Sequence, residues 1–221
     1  MRFVVWASLL LFALTGCVEI QENILINKDL SGSIQVKVAF FTQEDEVITP
    51  EEFEIQKERQ AAKMAEEKED LRQRLPEGVR IDKYDFRLES PTSMVIEEKI
   101  SFDHLKLLGK IKAKAPGPDE KDSGPDLQLL RAFRTEETES EIIVEHRLGQ
   151  KKMPPREGVV EIDMESYVKD RMFYAEVLST LEVVSTNATR REGNRMIWEV
   201  PMKKMLSLEK DLWARIVFKK P

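Results

Sequence analysis

Cysteine is almost absent. Cys17 is the only one in 221 residues, so no internal disulfide can form and no multi-cysteine zinc site can be built. Histidine is nearly as scarce, with His104 and His146 alone. Neither stands in an H-x-x-x-H or H-x-x-E-H pattern, and a zinc centre has no support from spacing. The chain also lacks a G-x-S-x-G elbow, a Walker-type phosphate loop and a G-x-G-x-x-G turn. No nucleophile, nucleotide site or metal set is therefore visible, and the chain reads as non-enzymatic, without metal or cofactor. A basic surplus is missing too: the formal net charge is -6. That balance argues against a nucleic-acid partner, which would require a dominant positive surface.

Long apolar runs are missing except at the start. Phe3 to Leu14 is apolar or small, after a single positive charge at Arg2. A dozen residues reach only about 18 Å as a helix, short of a hydrocarbon core of about 30 Å. The run is read as a targeting segment and not a span. Its end, Leu14, Thr15, Gly16 and Cys17, resembles a bacterial lipobox. By that resemblance residues 1–16 form a cleaved signal peptide. Cys17 would carry a diacylglyceryl group and an N-acyl chain (palmitate-type lipidation), and several acyl chains anchor a protein durably. Val18 follows where an aspartate would retain the protein, which resembles the default for the outer membrane facing the periplasm.

Residues 17–221 are read as one α+β domain. Ile34, Val36, Val38 and Phe40 alternate strictly, and Val18, Ile20, Ile24 and Ile26 do so approximately, around the turn formers of "NKDLSG"; this predicts a hairpin. Thr49, Pro50 and Glu52 form a capping-box start for a helix that "LPEG" stops near residue 75. Its apolar stripe, Phe53, Gln56, Gln60, Met64, Leu71 and Leu75, is thin among charges. Such an insertion, residues 50–75, is either a partner-binding arm or a solvated helix docked on a sheet. Met94, Ile96, Ile100 and Phe102 alternate, interrupted by Glu98, and pair with the strand before Ser90-Pro91. Asp103 is expected to cap a short helix. There Lys106, Lys110, Lys112 and Lys114 suit either anionic head groups or plain solvation.

Residues 116–126 are a flexible loop by composition. Ile142, Val144, His146 and Leu148 alternate in a further hairpin, residues 159–184 are open between helix and strand, and three short strands surround "REGN" near the end. Asn187 reads as a turn or strand-end residue. Trp198 and Trp213 lie in those last strands, either as core or as a wall of a ligand pocket. Strand pairs interrupted by one long amphipathic helix and shorter helices predict a twisted, mainly antiparallel sheet.

This layout, with "INKDLSGSI", "LPEGVRI", "EEKISFDHL" and "STNATRREGNRMIWEVPM", resembles the LppM-type bacterial lipoproteins. The resemblance implies a helix-grip-like α+β domain with no catalytic residue and, for the mycobacterial member, affinity for glycosylated phosphoinositide lipids. The chain departs from the pattern in its charged helix and in ending "VFKKP" without a further span. Two functional expectations follow. One is a membrane-anchored lipoprotein binding a lipid or other amphiphile in an apolar pocket. The other is a structural adaptor that recruits an envelope protein through helix 50–75 or exposed strand edges.

Overall fold

Alternation along the chain becomes pairing in space. The computed structural model describes residues 18–41, 47–90, 92–111, 133–149 and 171–221. The signal segment, Cys17, the loop 116–126, Lys112, Lys114 and the part of 159–184 before Arg171 lie outside the described residues. Strand β1 (Val18–Ile26) runs antiparallel to β2 (Gly32–Phe41), with Ile26 opposite Gly32. In the turn between them Asp29 accepts from the Ser31 backbone and hydroxyl, and Leu30 adopts a φ of 67°. A left-handed leucine is costly. Here its side chain is buried and its carbonyl accepts from the Leu105 N–H at 2.9 Å, so tertiary contacts hold it.

Helix α1 (Pro50–Arg74) begins with the capping box expected from Thr49 and Glu52. It docks chiefly on β3 (Val79–Ser90), which forms a hairpin with β4 (Ser93–Phe102). A short 3-10 turn (Leu105–Lys110) follows. Its cap is His104, whose Nδ1 accepts from the Lys106 N–H, and not the expected Asp103, which pairs instead with Arg80 at 2.9 Å. Seven more strands and a short helix complete the described order: β5 (Phe133–Glu137), β6 (Glu141–Gly149), β7 (Met172–Ser179), β8 (Val183–Thr186), β9 (Arg190–Glu192), β10 (Arg195–Pro201), α2 (Met202–Leu206) and β11 (Leu212–Lys219).

Two sheets result where the sequence predicts one. Seven strands run in the order β3-β4-β2-β1-β7-β10-β9, and four in the order β5-β6-β11-β8. Pairing is antiparallel throughout except that β1 and β7 are parallel. Alternation tells which residues share a face and is silent on which sheet a strand joins. The inner faces pack together: Ile24, Ile34, Ile100 and Phe102 of the large sheet share one core with Ile142, Val144, Ile216 and Phe218 of the small one. A separate cluster, Ile48, Phe53, Phe86 and Met94, seats α1 on the β3–β4 end. Among the described residues no helix is long and apolar enough to cross a membrane.

Candidate functional site

Three polar residues break otherwise apolar inward faces, and the fold brings their rows together. On β1 the inward series is Ile20, Glu22, Ile24, Ile26. The ladder places Glu22 opposite Val36, Val36 opposite Glu98 and Glu98 opposite Tyr84; on the other side Glu22 stands beside Ala175, and Ala175 opposite Trp198. One row thus crosses six strands. With adjacent strands about 4.8 Å apart, the backbones at Glu22 and Glu98 are roughly 10 Å apart. Glu22 is 2% exposed and Glu98 4%. From the small sheet His146, 3% exposed, brings Nε2 to 2.9 Å from Glu22 Oε2. The atoms are within ion-pair reach without the alignment of a hydrogen bond. The imidazole stacks on Phe133 with ring centres 4.0 Å apart and planes 12° from parallel.

Arg74, in the last turn of α1, supplies the positive charge on the sheet side and pairs with Asp70 at 3.2 Å. Burial pushes the Glu98 carboxyl up to about 7; the Arg74 charge opposes that shift and the Glu22 charge adds to it. The preceding residue, on the other face of the sheet, behaves in the opposite way because cations and an amide surround it. Burial would raise the Glu97 carboxyl too, but hydrogen bonds from Lys83, Arg87 and Gln35 hold it at about 2. Glu97 and Glu98 therefore differ widely in acidity yet lie on opposite faces of the sheet. They cannot act together on one bound molecule, which removes the most obvious acid/base pair.

The interior beside His146 is nearly full. A void of about 10 Å³ lies between the sheets, walled by apolar side chains of both sheets and by His146. That is room for about one water molecule. Trp198 is buried in the core and its Nε1 donates to Asn187 Oδ1 at 3.1 Å. Trp213 lies on the outer face of the small sheet, half-buried, with the Arg134 guanidinium 4.2 Å from its ring centre. The two tryptophans share no site, and neither lines the void. Asn187 does more than end a strand. It accepts from Trp198 and from the Arg215 N–H at 2.8 Å, and donates to the Trp213 carbonyl at 2.8 Å, joining β10 of one sheet to β11 of the other.

Lys106 of the expected basic cluster is paired with Glu137 at 2.9 Å. Among the described residues no group of three or more His, Cys, Asp or Glu is placed to hold a metal. Sequence reasoning missed the Glu22–Glu98–His146 row. Its signal was present: each of the three interrupts an alternating apolar series.

No family model matches the chain, and no curated protein matches it. Its fold is remotely similar to solved structures. The folded domain of Mycobacterium tuberculosis LppM is 14% identical with a TM-score of 0.40, covering 93% of this chain and 91% of that one. Yeast LTA4 hydrolase in complex with bestatin is 13% identical with a TM-score of 0.32; 92% of this chain is covered, but only 28% of the hydrolase. An M1 zinc metallopeptidase from Deinococcus radiodurans is 10% identical with a TM-score of 0.29, covering 92% of this chain and 42% of the peptidase. Likeness at this level leaves function unspecified.

Proposed function

We propose that the chain is a lipid-anchored, non-enzymatic protein of the bacterial cell envelope that works as an adaptor, recruiting a protein partner through α1. The observation that carries this reading is the filled interior. Ligand clefts run to about 300–1,000 Å³, and among the described residues the void beside His146 has room for about one water molecule. Recognition then falls to the surface. Among the described side chains of helix α1, Phe53 and Leu71 are its buried apolar residues, and Ile55 is left 44% exposed among its charges. Anchoring rests on Cys17 and the preceding Leu14, Thr15 and Gly16, whose order suits lipidation, and Val18 after the cysteine suits export to the outer membrane. With β1 starting at Val18, the domain would sit against the bilayer on no tether.

The test is a photo-reactive residue at Ile55 in the full chain, in its host, with Val184 on β8 as control; Val184 is 48% exposed. A defined crosslinked protein from Ile55 and none from Val184 supports the adaptor. No site-specific crosslink, together with a stoichiometric lipid in native mass spectrometry of the detergent-free chain, would replace it by the lipid-binding reading. Cys17→Ala is expected to abolish palmitate labelling and release the chain from the membrane fraction. Retention of label would refute the anchor.

A further inference from the structure

Two buried carboxyl groups face one permanent cation on the inner side of the large sheet. Facing the centre are Glu22 from β1, Glu98 from β4, His146 from β6 and Arg74 from α1, with Asp70 pairing Arg74 on the same helix and Tyr84 of β3 opposite Glu98. The remaining neighbours, Val36, Ala175, Trp198 and Phe133, carry no charge. Two carboxylates 2% and 4% exposed cannot both ionise cheaply beside one permanent cation. Glu98 Oε1 is buried without a hydrogen bond among the described residues, and the His146 imidazole stands beside the other carboxyl, 2.9 Å from Glu22 Oε2.

We propose that this cluster is a proton-operated latch: one exchangeable proton, resident on Glu98, keeps the buried charge balanced, and its loss weakens the joint between the two sheets. The link is geometric. An ionised Glu98 places a second negative charge in the row of Glu22, the residue through which the large sheet touches His146 of the small one. Burial, which pushes the Glu98 carboxyl up to about 7, agrees with its holding a proton near neutrality. The latch is independent of the adaptor reading, since it concerns the joint and not the surface.

The test uses the full chain with carbon-13-labelled glutamate. A buried protonated carboxyl signal is expected at about pH 5 and is replaced by a carboxylate at about pH 9, within the window that a raised carboxyl defines. Assignment comes from Glu98→Gln, which retains the shape of the protonated acid and removes that signal. Glu22→Gln removes a neighbouring negative charge and is expected to move the titration midpoint toward acid pH; a shift toward alkaline pH would overturn the linkage. The protection factors of the β6 amides, exchange rates corrected for the intrinsic rise with pH, are expected to fall about tenfold across the same transition in the wild type and to stay flat in Glu98→Gln. A Glu98 carboxylate already ionised at about pH 5, or β6 exchange that changes equally in both proteins, would overturn the latch. Because the wild-type titration needs no substitution, an unfolded variant would not shield the proposal.

Discussion

At the residue scale, polarity out of place is the informative signal. Glu98 holds its proton in the folded chain up to about 7, against an ordinary value of 4.5. Between those values the folded state binds the proton and the unfolded state has released it, so stability falls as pH rises from about 4.5 to about 7 and is constant beyond. The expected loss is at most roughly 3 kcal/mol, measurable as a drop in urea midpoint that Glu98→Gln removes. Asn187 is a second such residue, since its side chain makes three hydrogen bonds that tie β10 to β11. Asn187→Ala is expected to cost about 1–3 kcal/mol, because the Trp198 indole N–H is left without its acceptor. An unchanged denaturation midpoint would contradict that role.

At the element scale, the helix and the hairpins were legible because their signals are local. Thr49, Pro50 and Glu52 lie within four positions, and the cap forms as they prescribe. The β1–β2 and β3–β4 hairpins follow from alternation and turn residues that are close in sequence. What was not legible depends on distant pairings. Nothing near Ile20 announces that β1 lies parallel to β7, and nothing near His146 announces Glu22. The cap at residue 104 escaped for another reason: the more familiar capping residue stood next door and was taken by Arg80. Thr49→Ala is expected to cost about 1 kcal/mol, read as faster amide exchange in the first turn of α1. Phe53 is 6% exposed and its ring centre lies 5.4 Å from that of Phe86. Phe53→Ala is accordingly expected to loosen α1 from β3, lowering helical circular dichroism while leaving both sheets protected from exchange.

At the scale of the whole molecule, one core serves both sheets and a smaller cluster serves the helix. The sheets are therefore expected to unfold in a single transition, with α1 released at lower denaturant as a local event. Tryptophan fluorescence, reporting on Trp198 and Trp213, would follow the first and amide exchange of α1 the second; coincident transitions would show the helix to be part of the same unit. The position of β1 carries a mechanical consequence. It lies in the middle of the large sheet, held on one flank by β2 and on the other by β7, and it begins at the residue that follows Cys17. Tension applied at residue 17 along that strand loads both ladders in shear, many hydrogen bonds sharing the force at once, instead of peeling an edge strand bond by bond. The strand nearest the cysteine is bonded along both edges, placed to resist a tug and not to peel.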